Sequence, residues 1–301
     1  MYYLIYGLLY LISLLPFFIL YRISDLAYFI IYYLFGYRKK VVMHNLDIAF
    51  PEKSSAEKNR IAREFYAGLV DTFIETIKML SISEKNFLKR VSIDLAEVNA
   101  LADKGMNIQL HTGHHFNWEY GNWIVAMNIK VPWIGIYMRI NNPALNKIFY
   151  KLRAKKGTHL VAAQEFKTRV HDLFRSQYCL GLVADQNPGV AHHSYWLNFF
   201  SRPAPFVTGP DKGAIRNNTA VVFIRMSKLK RGYYQLIPTI VTENGASMHQ
   251  GELTRLYRDF LEENIRLEPS NYLWSHRRWK WAYKPEYEKE WWVDNRPPLN
   301  V

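Results

Sequence analysis

A single cysteine, Cys179, stands among 301 residues. It cannot close an intramolecular disulfide, which suits a reducing compartment. Its setting, Tyr178-Cys179-Leu180-Gly181-Leu182-Val183, reads as a buried strand in which a free thiol packs as a small hydrophobe. Acidic residues are also short. The 26 Asp and Glu against 39 Lys and Arg give a formal charge of +13, which calls for an anionic partner: nucleic acid, an anionic membrane or an acidic carrier protein. There is no internal repeat, low-complexity tract, P-loop or dinucleotide fingerprint. The start has neither a basic n-region nor a small-residue cleavage site, so a cleavable signal peptide is not expected. His111, His114 and His115, with the distant His192 and His193, match no zinc spacing, and no metal is expected.

Apolar residues are plentiful. Hydrophobic side chains make up 49% and aromatics 16%, enough for a sizeable α/β core, and the Tyr and Trp rings favour membrane interfaces as well. The richest stretch is the first. Tyr2 to Tyr21 holds no charge, about the length that crosses a bilayer. Arg22 and Asp25 interrupt it, Leu26 to Phe35 is apolar again, and Arg38-Lys39-Lys40 closes it. Two arrangements fit: one spanning helix followed by a surface helix, or two helices lying in the interface with Pro16 kinking the first. The basic cluster places the rest of the chain on the cytoplasmic face. The chain therefore divides into a membrane-anchoring helical segment at 1–40 and a globular part at 41–301.

In the globular part, strand and helix patterns alternate, which predicts a mixed central sheet flanked by helices. Val41 to Leu88 is helical. Ser54 or Ser55 can cap a helix with Glu57 in its first turn, and Ile61, Phe65, Leu69, Phe73, Ile77 and Leu80 are expected to face the core. Strands are predicted at 106–110, 131–137, 159–163, 180–184, 220–226 and 233–240, and helices at 123–127, 143–156, 166–177, 210–217 and 252–265. Phe199 to Pro210 reads as a loop rich in Pro and aromatics. Lys228-Leu229-Lys230-Arg231-Gly232 reads as a basic hairpin tip, solvated or meeting an acidic carrier. The tail, Asp294 to Val301, is Pro-rich and expected to be loose.

The chemistry concentrates in one polar turn between a strand and a helix, His111-Thr112-Gly113-His114-His115-Phe116-Asn117-Trp118-Glu119. An imidazole at His114 can accept a proton near neutral pH. A carboxylate at Glu119 could fix its tautomer and steady the imidazolium. No serine or cysteine stands in this turn, so the attacking group would be the substrate's own hydroxyl. Asp185-Gln186-Asn187-Pro188-Gly189 puts a second carboxylate at a strand end, either a site residue or a turn former. Lys147, Lys151, Arg153, Lys155 and Lys156 read as a solvated helix face. Tyr272 to Lys280, with Trp274, His276, Arg277 and Lys280, is an aromatic-walled basic cluster that could bind phosphate, nucleic acid or lipid headgroups.

Gly113-His114 with Asn117-Trp118-Glu119 resembles the Gly-His-aromatic-Gly-Asn-Trp-Glu/Asp signature of the late acyltransferases of lipid A biosynthesis, the lauroyl/myristoyl transferase family. The chain departs from it at His115 and Phe116, where that family has an aromatic residue and then glycine. Asn45-Leu46 with Phe50-Pro51-Glu52, Tyr137-Met138-Arg139, Arg153 to Gly157, Asp185-Gln186, Phe199 to Thr208 and Tyr272 to Lys280 follow in the family's order. The resemblance implies a glycerolipid-acyltransferase-like α/β fold and a membrane-bound O-acyltransferase. Such an enzyme moves a fatty acyl chain from acyl carrier protein, or from coenzyme A, to the hydroxyl of a 3-hydroxyacyl chain on a lipid A precursor, at the cytoplasmic face of the inner membrane and with no cofactor. It implies His114 as general base, Glu119 as its orienting acid, Asp185 as a further site carboxylate, and Arg153, with Arg139 as the alternative, on the thioester oxygen or a phosphate. Asn117, Trp118, Gln186, Trp274, His276, Arg277 and Lys280 would contact substrate, and Phe199 to Pro210 would wall the acyl chain. Another hydroxylated acceptor, such as an aminolipid or glycolipid, or a lipid-binding relative without activity, remains open. A nucleic-acid partner is not expected, because it would leave the apolar N-terminus without a purpose.

Overall fold

The structure, a computed structural model, describes residues 1–287; the tail from Asp294 to Val301 lies outside the described residues. Nine strands form among them: β1 Val91–Ile93, β2 Ile108–Thr112, β3 Trp133–Tyr137, β4 His159–Ala162, β5 Cys179–Val183, β6 Tyr195–Phe199, β7 Arg202–Phe206, β8 Ala220–Lys230 and β9 Tyr233–Thr242. Seven of them make one sheet in the order β1-β9-β8-β2-β5-β3-β4. Strands β8, β2, β5, β3 and β4 run parallel, while β9 is antiparallel to β8 and carries β1 in its own direction. The sheet is therefore mixed and flanked by helices, as the alternating pattern predicts.

Period-two alternation sorts the core. Along β8, Val221 and Phe223 face one cluster, with the helices Lys39–Ala49, Ser55–Lys78 and Glu252–Leu267. Ala220, Val222 and Ile224 face the other, with the helices Ala96–Asp103 and Trp118–Asn128. Both faces of the parallel strands are thus covered, which is why these strands read as near-continuous apolar runs. In the sheet Gly181 lies against the Trp133 indole, and a Cβ there would clash with the ring.

The helix Ser55–Lys78 begins at a capping box. Ser54 accepts from the Glu57 backbone N–H, and the Glu57 carboxylate accepts from the Ser54 backbone N–H. Its expected core stripe holds at Ile61, Phe65 and Leu69 but not at Phe73, which is 53% exposed. Steps of four residues turn about 400°, so each advances about 40° round the axis. By Phe73 the stripe has left the core face, and Tyr66, Val70 and Ile74 take over.

Two other expectations are corrected. Tyr195 to Phe206 is an antiparallel hairpin, β6 with β7, rather than a loop. Its two-residue turn, Phe200-Ser201, has positive φ at both positions, the conformation that hairpin twist favours but that this dipeptide does not advertise. Phe199 and Phe206 are buried in the core, while Val207, Gly209 and Pro210 at the end of the segment line a cleft, so the segment walls it in part. The tip Lys228 to Gly232 is also no free basic patch: Arg231 pairs with Asp71 and Asp25, and Lys228 approaches Asp71 at 3.9 Å.

At the N-terminus, the helix Tyr2–Leu14 stops before Pro16, which opens the next helix, Phe17–Phe29. That helix runs on through a wider turn, Ile30–Phe35, to Gly36 in the left-handed region. Arg22 and Asp25 do not interrupt it. Among the described residues Phe17–Phe35, with mean hydropathy 1.4 over an 18-residue window, is the helix long and apolar enough to cross a membrane.

Gly181→Val should lower stability by about 1–3 kcal/mol, the range for overpacking, because the added carbons meet the Trp133 indole at the cleft wall. Thermal unfolding of the purified variant measures it, and an unchanged melting temperature would mean that the indole has room to move.

Candidate active site

The parallel register of β2 on β5 builds the site. Thr112 stands opposite Val183, so two residues past each strand end the chain presents His114 beside Asp185. The imidazole Nδ1 lies 2.7 Å from Asp185 Oδ1, and the His114 backbone N–H donates to Asp185 Oδ2 at 3.1 Å. Asp185 is 1% exposed and the His114 side chain 24%. Burial pushes the carboxyl pKa up, but the His114 charge and hydrogen bonds outweigh it and hold Asp185 well below the usual carboxylate range. An ionised Asp185 requires a proton on Nδ1, which leaves Nε2 as the basic nitrogen. Nε2 faces the cleft, with the Gln186 amide nitrogen at 3.3 Å.

Glu119 does not hold His114, contrary to the five-residue spacing. The helix starts at Trp118, earlier than the sequence suggests, so Glu119 sits on its first turn. There it meets Arg153, near the end of the helix Pro143–Ala154. Arg153 Nε lies 2.9 Å and 3.1 Å from the two carboxylate oxygens. Burial alone would lower the guanidinium pKa, but the hydrogen bonds and charge of Glu119 raise it. Trp118 connects the two pairs: its indole N–H donates to Glu119 Oε1 at 3.1 Å, and its ring stands edge-on to His114 at 5.7 Å. Arg139, the alternative cation, pairs with Glu165 in a half-exposed bridge.

His114, Trp118, Glu119, Arg153 and Gln186 open on one cleft of ≈ 2030 Å³. Much of its wall is apolar, including Trp133, Ile136, Met138, Leu160, Leu182 and Val183. A polar mouth at the carboxyl ends of parallel strands above an apolar trough is the usual site of α/β enzymes.

Several expected substrate contacts are structural. Asn117 is wholly buried; its Oδ1 caps the helix by accepting from the Glu119 and Tyr120 backbone N–H groups, because a helix start leaves such donors without partners. Its Nδ2 donates to Glu75 Oε2 at 3.0 Å. Trp274 is also wholly buried and donates to the Pro269 carbonyl. His276 Nε2 accepts from the Asn187 backbone N–H at 3.1 Å. Burial, with Arg278 nearby, pushes the His276 pKa down to about 4, so it is neutral. Arg278 donates to Asn187 Oδ1 at 3.1 Å. The C-terminal aromatic cluster thus braces the loop that carries Asp185. Arg277 and Lys280 are exposed and do not line the cleft.

Two residues of the site's frame were not foreseen. Glu75 accepts from Asn117, from the Tyr234 hydroxyl at 2.8 Å and from the Tyr21 hydroxyl at 3.0 Å. Asn271 accepts from the Phe116 backbone N–H through its side chain, and its carbonyl lies 3.0 Å from His115 Nδ1. The signal for Glu75 was available, since a carboxylate on the buried stripe of an amphipathic helix must have interior partners.

An imidazole–carboxylate pair beside an apolar trough on an α/β sheet can serve acyl transfer to a lipid hydroxyl. A family model described as bacterial lipid A biosynthesis acyltransferase matches residues 1–281, and the chain belongs to that family. It is similar to the lipid A biosynthesis lauroyltransferase of Escherichia coli (strain K12), at 22% identity over 277 residues, 91% of this chain and 89% of that protein.

Asp185→Asn should lower turnover by about 10²–10⁴-fold, since an amide no longer enforces the Nδ1–H tautomer. Glu119→Gln should lower the melting temperature, by leaving Arg153 with a weaker partner, and should lower turnover less than Asp185→Asn does. Steady-state kinetics and thermal unfolding of both variants separate the roles, and a loss of turnover in Glu119→Gln as large as in Asp185→Asn would contradict the division.

His276 is neutral when folded and ionises near 6.5 when unfolded. The unfolded chain therefore binds the extra proton first as pH falls, and stability is lost progressively from about pH 6.5 to about pH 4. His276→Gln, which keeps an acceptor for Asn187, should flatten the decline of melting temperature across that window.

Proposed function

We propose that this protein transfers a fatty acyl chain from acyl carrier protein to the hydroxyl of a 3-hydroxyacyl chain on a lipid A precursor, at the cytoplasmic face of the inner membrane. The observation that carries this reading is the His114–Asp185 pair, with Nε2 turned into an apolar cleft. Family membership supports lipid A as the acceptor, and the relative's name supports a lauroyl donor.

The chemistry needs no cofactor. The acceptor hydroxyl gives its proton to His114 Nε2 as its oxygen attacks the thioester carbonyl carbon. Asp185 steadies the imidazolium that forms. The carbonyl π electrons move to oxygen, and Arg153, kept charged and aimed by Glu119, lies on the cleft wall to stabilise that oxyanion. Collapse of the tetrahedral intermediate breaks the carbon–sulfur bond. The departing sulfur takes the proton from His114, which restores the base. The apolar trough takes the acyl chain. The +13 charge suits both an acidic carrier and an anionic leaflet.

The test is acyl transfer from labelled acyl carrier protein, and separately from acyl coenzyme A, to a purified lipid A precursor. The carrier-bound donor should be preferred. His114→Ala should reduce transfer by about 10²–10⁴-fold while the protein stays folded; transfer at the wild-type rate would refute the assignment. Mass spectrometry of lipids from cells without the gene should show lipid A lacking one acyl chain. The same loss from an aminolipid instead would change the acceptor and leave the chemistry standing.

A further inference from the structure

We propose that the two N-terminal helices lie flat on the membrane surface as a docking face for an anionic leaflet, and that neither crosses it. This deepens the membrane part of the proposed function and rests on it.

The apolar helix Phe17–Phe35 is long enough to span, but it is fastened sideways to the catalytic part of the chain. The Tyr21 hydroxyl donates to Glu75 at 3.0 Å and Ser24 Oγ donates to Asp71 at 2.7 Å. Arg231, at the tip between β8 and β9, bridges Asp25 and Asp71 at 2.7 Å each. At a rise of 1.5 Å per residue, Tyr21 to Asp25 lie roughly 6–12 Å from the helix start. In a spanning helix these side chains would sit within the hydrocarbon, out of reach of partners on the sheet and on the helix Ser55–Lys78. Crossing would strand Arg22 and Asp25 in lipid, leave Asp71 without Ser24 and leave Arg231 without Asp25, and ionic groups are seldom left so.

The first helix is held at both ends. Lys78 Nζ donates to the Ser13 and Leu15 carbonyls at 2.8 Å and 2.9 Å, and Ser81 donates to Ser13 at 2.6 Å. These are the orphan carbonyls of a helix end. At the other end Lys147 stands 4.7 Å from the centre of the Tyr2 ring. Tyr2–Leu14 therefore lies along the catalytic part, next to the helix that presents Arg153.

Outward, both helices show a one-sided apolar stripe: Leu4, Leu8 and Leu11 on the first, Phe18, Leu26 and Phe29 on the second, all exposed. Spacings of 4, 7, 8 and 11 residues keep such a stripe on one face. Arg22, 85% exposed, stands within it at 3.8 Å from half-exposed Asp25, and its long side chain has the reach to meet lipid phosphates. Exposed Arg38 and Lys40 come at its end. An apolar face rimmed by cations is what an anionic lipid surface binds. Because the first helix adjoins the cleft helix, an acceptor lipid could enter the site without leaving its leaflet.

The test places a spin label in turn at Leu4→Cys, Leu11→Cys, Phe18→Cys and Phe29→Cys, in the full chain with Cys179→Ser, bound to phosphatidylethanolamine–phosphatidylglycerol vesicles. Oxygen and nickel-chelate accessibility should give one shallow depth at all four, roughly 5–10 Å below the headgroups. Binding should be about tenfold or more tighter than to phosphatidylcholine alone. A depth that descends to the bilayer midplane along either helix would overturn the flat arrangement and leave a membrane enzyme. Absence of vesicle binding would overturn the docking face itself; acyl transfer to detergent-dispersed acceptor would then show whether the catalytic reading survives.

Discussion

Everything at the site depends on the pairing of β2 with β5. Parallel pairing fixes which residues leave the sheet together, and a slip by one residue would turn every side chain to the other face. With Thr112 opposite Val183, the imidazole of His114 and the carboxylate of Asp185 emerge side by side, 71 positions apart in the chain. β2 is buried over Ile108 to His111 and β5 at Cys179 and Leu180, so packing holds the register there, while Leu182 and Val183 open on the cleft.

The rest of the molecule holds that juxtaposition still. Asn117 starts the helix that carries Glu119 and is held in turn by Glu75. Glu119 aligns Arg153. His276 and Arg278 fix Asn187, two residues beyond Asp185. Each of these groups is polar and has at least one partner, which ties the network together, although the Nε and one terminal nitrogen of buried Arg278 find no hydrogen-bond partner among the described residues. Glu75 also accepts from Tyr21, so the frame of the polar turn reaches the N-terminal helices directly.

Much of the fold was legible in the sequence because its signals are local. Apolar runs marked the parallel strands, Ser54 and Glu57 marked a helix start, and Pro16 marked a break. The hairpin at Phe200-Ser201 was not legible, because its turn uses residues with no preference for positive φ. In the site, His114 and Asp185 were each visible as polar residues after an apolar run, yet their pairing was not, because strand register is a non-local property. The neighbouring carboxylate, Glu119, was the natural partner by spacing, but a helix beginning at Trp118 turns it toward Arg153. Trp274 and His276 were visible as a cluster, and only burial shows that they brace a loop.

The claim on which the account stands is that Asp185 sets the tautomer of His114. Nitrogen NMR of histidine-labelled protein, read for His114 in the wild type, in Asp185→Asn and in Glu119→Gln, tests it most directly. The account expects a protonated Nδ1 and a bare Nε2 in the wild type and in Glu119→Gln, with that pattern lost in Asp185→Asn. A wild-type ring protonated at Nε2, or a tautomer that changes with Glu119 and not with Asp185, would contradict it.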